Sequence, residues 1–412
     1  MRQWTVALGF SLLAVAAARA ADWPAWRGPA GTGVAADAHP PLEWSAEKNV
    51  AWEVPLRGEG NSAAIVVGDQ VLLSCATDGG RMRSLMSYDR ATGELRWAKT
   101  VRYGGEEKTH NTNPFCSSSP ASDGQRVVVW HGSAGLHCYD MQGEPLWNVD
   151  LGEFQHIWGN ASSPVLYGDL VVLNAGPGTR SFLIALNKST GEEVWRRETP
   201  DAASEKVDEF RGSWSTPVLF QENGRDLMAL SLPKRLIAFD PKTGETVWSS
   251  EGLSLLSYTS PLIGDDLVVA MCGYHGPAIA VKRGGAGDIT ESHRLWTHTN
   301  KNPQRVGSGV LVDGHVYILN EDGVAWCIDA VSGENKWKER LGGKAWSSMS
   351  HVDGKLHALN MDGTTFVLKP NPAACEVLAE NHLDELTRSS HAFSDGQVFI
   401  RTYKHLWCVQ AP

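Results

Sequence analysis

The sequence predicts an all-β fold, an eight-bladed β-propeller whose last blade is closed by a strand from the N-terminal region. Three observations predict it. A tryptophan recurs at intervals of nearly fifty residues, each interval holds two glycine-bearing turns, and the segments between the turns read as continuous apolar runs.

The turns come first. Gly68-Asp69, Asp123-Gly124, Gly168-Asp169, Asn223-Gly224, Gly264-Asp265, Asp313-Gly314, Asp353-Gly354 and Asp395-Gly396 each precede a run such as Val71-Leu72-Leu73 or Val316-Tyr317-Ile318. A short glycine-bearing turn between β-rich runs is a hairpin signal, because glycine supplies the positive φ such turns need.

The second turn carries an aspartate or asparagine, then Gly-Glu, then tryptophan three residues after the glutamate. The copies end Gly93-Glu94…Trp97, Gly143-Glu144…Trp147, Gly191-Glu192…Trp195, Gly244-Glu245…Trp248 and Gly333-Glu334…Trp337, with a degenerate copy at Trp296. Counted from Trp52, successive tryptophans are 45, 50, 48, 53, 48 and 41 residues apart. Two hairpins per period give four strands, the signature of a propeller blade. A blade is covered on both faces by its neighbours, which explains apolar runs in place of strict alternation.

Seven units run from about residue 61 to 380, the seventh with Glu376-Val377-Leu378 where a tryptophan is expected. The last unit supplies only three strands, and Asn49–Pro55, with Trp52 in the tryptophan position, provides the fourth. Closing the ring with both ends of the chain removes its open edges.

Composition agrees. Hydrophobic residues make up 42% of 412 residues and charged residues 20%, enough for a large core. The formal net charge of −10 gives no overall basic field for nucleic acid or an anionic membrane. Arg2, the apolar stretch Val6–Ala18 and Ala18-Arg19-Ala20 read as a cleaved export leader. The expected organisation is a leader at 1–20, an extension at 21–44 and the repeat domain at 45–412. No lipidation cysteine follows the cleavage site and no later stretch is long enough to span a bilayer, so a periplasmic or secreted monomer is expected. Seven widely spaced cysteines contain no C-x-x-C and no adjacent pair, which gives a metal site no support. Cys138, Cys327 and Cys408 sit in strand-like runs and read as small buried hydrophobes. Cys116, in a loop, is the best candidate for a bridge or a free thiol. Arg283-Gly284-Gly285-Ala286-Gly287 lacks a following Lys-Ser/Thr and reads as an ordinary turn.

The Asp-x-x-Thr-Gly-Glu-x-x-Trp copies, with Ser119-Pro120, Ser163-Pro164, Thr216-Pro217 and Ser260-Pro261 opening several units, resemble the pyrroloquinoline-quinone (PQQ) repeat of quinoprotein-like propellers. Trp23-Pro24-Ala25-Trp26-Arg27-Gly28-Pro29 resembles the opening of exported members of that superfamily. The resemblance implies that Trp52, Trp97, Trp147, Trp195, Trp248, Trp296 and Trp337 dock between blades, each burying ~200 Å².

Propellers carry their chemistry in loops at one mouth of the channel. The links that lead from each tryptophan strand to the next inner strand are long and polar. They hold His110 and Asn113; Glu153, His156, Trp158 and Asn160; Asp208, Arg211 and Trp214; then Tyr258, Arg305, Trp346, Arg388 and His391. Aromatics mixed with His, Arg, Asn and Glu suit a small-molecule or peptide pocket. Two functions follow from the resemblance. One is a non-enzymatic binding or scaffold propeller of the cell envelope, similar to the propeller lipoprotein of outer-membrane protein assembly, with an envelope protein or small molecule as partner and no cofactor. The alternative is a PQQ-dependent oxidoreductase acting on a small alcohol or sugar. There Trp158 or Trp214 would floor the quinone and Glu153, Asn160 and Asp208 would hold Ca²⁺. No adjacent cysteines accompany that alternative. No G-x-S-x-G, H-E-x-x-H or P-loop supports a hydrolase or lyase.

Overall fold

The computed structural model describes residues 22–274, 276–299, 303 and 306–412. The leader and Arg305 lie outside the described residues. Eight four-stranded antiparallel sheets follow one another around a ring. Blades one to seven span 65–102, 121–149, 165–198, 218–251, 262–298, 310–340 and 350–382. Blade eight orders its strands as Val50–Pro55, His405–Gln410, Gln397–Arg401 and Ala392–Ser394, so its outermost strand comes from near the N-terminus. Among the described residues no helix is long and apolar enough to cross a membrane.

The apolar runs lie where blade packs on blade. Val71, Leu72 and Leu73 are wholly buried, as are Val127, Val128 and Val129. Every blade carries a register shift in the pairing of its third and outer strands, at Ser87/Tyr88 in blade one, Ala185/Leu186 in blade three and Val50/Trp52 in blade eight. The remaining five blades shift at the same place. In blade one Trp97 pairs with Ser87 and Leu95 with Tyr88, leaving Arg96 as the extra residue. An extra residue bends the strand and re-aims the side chain beside it. The fixed distance from Gly-Glu to tryptophan is therefore the length of one bulged turn.

Six of the seven indoles donate to a backbone carbonyl in a turn of the next blade, at 2.8–3.1 Å: Trp52 to Arg90, Trp97 to Met141, Trp147 to Lys188, Trp195 to Pro241, Trp296 to Ala330 and Trp337 to Asn371. The glycine of the receiving turn lies against the ring: a Cβ at Gly93 would sit 2.7 Å from the Trp52 indole. Trp97, Trp147 and Trp337 are only half-buried, since one edge faces solvent on the rim.

Trp248 departs from this pattern, because blade five has no Gly-Glu turn. Residues 283–293 replace it, and Gly287–Asp288 pairs in parallel with Trp248 and Ser249 as a fifth strand of blade four. The glycine-rich segment is thus a docking strand, not the ordinary turn expected of it.

A second ring runs inside. At the head of seven of the eight inner strands a hydroxyl accepts from a backbone N–H of the preceding blade. Ala63 N–H donates to Ser119, Ser119 to Ser163, Ser163 to Thr216 and Thr216 to Ser260. Ser260 then donates to Ser308, Ser308 to Ser348 and Ser348 to Ser390. The Ser-Pro and Thr-Pro pairs are members of this ring. Ala63 has no hydroxyl with which to continue it.

The extension threads the channel. Trp23 bridges to Val66 on the inner strand of blade one, and Pro24 accepts from Ser122 on that of blade two. The chain rises to Arg27, whose guanidinium donates to Thr32 O at 2.5 Å and Gly309 O at 2.6 Å. It returns along blade seven as Val34–Ala35, parallel to Ser350–Val352. Burial holds Arg27 down to about 9. Residues 22–35 therefore plug the channel from the face opposite the long links.

Candidate functional site

Because the plug closes one end, the other mouth is a blind cavity of about 430 Å³. It falls in the size range of small-molecule sites. Seven of the residues expected at the mouth line it together: His110, Asn113, Trp158, Trp214, Tyr258, Trp346 and Arg388. They come from six different inter-blade links, which the ring brings to one axis.

Trp158, Trp214, Tyr258 and Tyr274 form a continuous aromatic wall. Ring centroids are 4.8 Å apart for Trp214 and Tyr258, 6.0 Å for Trp158 and Trp214, and 6.2 Å for Trp158 and the nearly parallel Tyr274. Backbone contacts fix this wall. The Trp214 indole donates to Gly159 O at 2.8 Å, and the Asn113 amide donates to Trp158 O at 2.6 Å. Elsewhere on the rim the Arg388 guanidinium lies over the Trp346 ring at 5.1 Å and over Tyr403 at 5.5 Å. Its Nη1 also donates to the Tyr403 hydroxyl, which reaches Asn61 Oδ1 at 3.3 Å.

Six expected residues do not line the cavity. His156 is buried behind the wall. Its Nε2–H donates to Glu209 O at 3.1 Å and its Nδ1 accepts from the Trp158 amide at 3.1 Å. Desolvation lowers its pKa, so the ring is neutral and acts as a brace for Trp158. Asn160 donates to Glu107, whose other oxygen pairs with buried Arg83 at 2.9 Å. Arg211 is tied to Glu209 at 2.8 Å. Glu153 and Asp208 are exposed on their loops. His391 is buried between blades seven and eight, 2.9 Å from Thr365 Oγ1, and desolvation pushes it down to about 3.

The residues do not fit a Ca²⁺-bound quinone. Glu153, Asn160 and Asp208 are not gathered on the cavity, and among the described residues its lining holds one carboxylate, Glu321. Among the described residues no three His, Cys, Asp or Glu side chains are placed to hold a metal ion. The cysteines are all free thiols. Cys116 is buried 3.7 Å from His131 Nδ1 instead of lying in an accessible loop, and desolvation pushes it up to about 12.

Trp26, Asn61, Tyr274 and Glu321 also line the cavity and were not singled out in the sequence. Trp26 sits in the Trp-Pro-Ala-Trp-Arg-Gly-Pro segment, a motif visible before its place in the channel was. Tyr274 and Glu321 lie in links between second and third strands, which open on the same mouth as the longer links.

The chain matches the family model described as "Outer membrane protein assembly factor BamB" over residues 81–251, 178–291 and 285–371. Two curated relatives carry that name. The one from Alkalilimnicola ehrlichii is 27% identical over 162 residues, 37% of this chain and 38% of the relative. The one from Moranella endobia is 26% identical over 228 residues, 54% of this chain and 51% of the relative. The aligned part thus spans about half, or less, of either relative's length. Among solved structures, BamB from Moraxella catarrhalis superposes with a TM-score of 0.62 at 15% identity, covering 88% of this chain and 97% of that one. Quinohemoprotein alcohol dehydrogenase from Comamonas testosteroni gives 0.71 at 13% identity, covering 97% and 82%. At these identities the structural likeness establishes the fold alone.

Proposed function

The chain belongs to the family described as outer membrane protein assembly factor BamB, and from that premise we propose that it is a non-enzymatic scaffold of the cell envelope. In this reading it works in the periplasm and holds protein partners of the outer-membrane assembly machinery on its ring. The observation that carries the reading is the family match across residues 81–371. A ring latched by its own N-terminal strand adds physical support. Its links are held on a rigid frame, and a pre-formed surface loses little freedom when a partner docks. The quinoprotein alternative, with PQQ and Ca²⁺ acting on a small alcohol or sugar, is supported by likeness of fold, and its ligand set is not assembled here.

The test is site-specific photo-crosslinking from mouth positions such as Phe210, in cells that make the full chain. Capture of outer-membrane assembly components supports the reading. Dye reduction by the purified protein that depends on added PQQ and Ca²⁺, without such capture, overturns it.

A further inference from the structure

We infer that the blind cavity is a carbohydrate-binding site that takes a short oligosaccharide or the end of a longer glycan. The inference goes beyond the scaffold reading and does not depend on it.

The lining carries the argument. Among the described residues, six aromatic rings, four of them indoles, face a space whose only aliphatic side chains are Ala161 and Val306. A lipid or a greasy peptide would need leucine, isoleucine or methionine walls, and none is present among the described residues. The rest of the lining is mostly neutral and polar: asparagine amides and serine or threonine hydroxyls. The Ser348 and Ser390 hydroxyls each accept a backbone N–H and the Asn113 amide donates to Trp158 O, yet a serine hydroxyl keeps a proton and a second lone pair that a ligand bearing hydroxyls can use and a wholly apolar one cannot. A pyranose ring has the complementary chemistry. Its C–H face is apolar and packs on an indole or phenol face, while its edge is a belt of hydroxyls that both donate and accept.

Two donors point the same way. The Trp346 Nε1–H and the Arg388 Nε–H are buried and have no acceptor among the described residues. Both side chains line the cavity. Sugar hydroxyl or ring oxygens would satisfy them. The platforms are also pre-set: Trp214 is pinned by Gly159, Trp158 by Asn113 and His156, and the Trp346 ring lies under Arg388. Pre-ordered aromatic faces lose little entropy on binding.

The experiment is a titration of the purified chain with neutral oligosaccharides (maltotriose, cellotriose and the N-acetylglucosamine trimer). It is followed by calorimetry and tryptophan fluorescence, with PQQ and an aromatic peptide as competing probes. Saturable binding of at least one oligosaccharide is expected, weakened tenfold or more by Trp346→Ala and by Trp158→Ala. Should either alanine variant unfold, Trp158→Phe and Arg388→Lys replace them, with a weakening of several-fold expected. Absence of binding by every sugar at millimolar concentration overturns the inference. So does sugar binding that these substitutions leave unchanged, or binding of the quinone or peptide alone. Mouth crosslinks to envelope proteins are scored separately, so this inference and the scaffold reading fail independently.

Discussion

The Trp248 indole donates to Glu222 Oε1 at 3.2 Å, and Glu222 Oε2 accepts the Gly284 amide of the next blade at 2.9 Å. A buried carboxylate thus makes the inter-blade connection that a turn carbonyl makes for the other six indoles. Blade five lacks the Gly-Glu turn, so nothing there presents a carbonyl at the usual place. Trp248 is wholly buried, unlike the half-buried Trp97, Trp147 and Trp337, and Gly287–Asp288 covers its strand.

Glu222→Ala leaves the buried Trp248 N–H without an acceptor and removes the link to the exposed Gly284 amide. A loss of about 1–3 kcal/mol is expected from the one orphaned buried donor. Glu222→Gln retains a carbonyl oxygen and is expected to lose less than half as much. Urea unfolding of the three proteins measures both, and equal losses would show that the carboxylate is not the link.

Two glycines separate backbone strain from indole packing. Gly191 (φ +76°) and Gly168 (φ +54°) are both left-handed, but a Cβ at Gly191 would sit 2.9 Å from the Trp147 ring while nothing lies within 4 Å at Gly168. Both alanine variants suffer the conformational penalty of about 1–2 kcal/mol. Gly191→Ala should lose a further ~1–3 kcal/mol from overpacking. Thermal unfolding of the pair reads the difference directly.

The fold was legible because the tryptophan, the Gly-Glu turn and the bulge are one local unit repeated around the ring. Trp97 cannot reach Met141 O without the extra residue Arg96, so spacing and geometry are the same fact. The cavity was legible in part for the same reason: Trp158, Trp214 and Arg388 each precede an inner strand, and ring closure sends all such residues to one axis. Orientation was not legible. His156, two residues before Trp158, turns behind the wall because its ring nitrogens serve Glu209 O and the Trp158 amide. Trp26 was missed because nothing local marks the segment at 22–35 as a channel plug. Its partners, such as Val66, Gly309 and His351, are far away in sequence.

The hydroxyl ring invites one removal and one addition. Ser163→Ala leaves the buried Ser119 amide without its acceptor at 3.0 Å, and a loss of about 1–3 kcal/mol is expected. Ala63→Ser places a hydroxyl at the one inner-strand head that lacks it, across from Ser390. A gain of about 0.5–1.5 kcal/mol is expected from one net hydrogen bond. Denaturant midpoints check both, and a destabilised Ala63→Ser protein would show that the position is too tightly packed for the added oxygen.

Buried histidines set the acid response. Desolvation lowers His131, His357 and His391, the last to about 3, whereas an unfolded histidine titrates near 6.5. Above pH ~6.5 the rings are neutral in both states, and their contribution does not change. Below it the unfolded chain takes up protons that the folded ring refuses, so stability falls with falling pH, by up to ~1.4 kcal/mol per pH unit for each histidine. The carboxylates Asp89 and Asp240 are also lowered, but their unfolded value is near 3.9, so their contribution is lost at more acid pH. The interval from about pH 6.5 to 4.5 therefore reports mainly on histidine. His391→Gln places an amide where the imidazole Nε2 meets Thr365 Oγ1 and cannot titrate. It should flatten the stability slope across that interval by up to ~1.4 kcal/mol per pH unit and change stability little at pH 7.5. Urea midpoints at pH 7.5, 6 and 5 measure the slope, and an unchanged slope would mean that His391 is protonated in the folded chain.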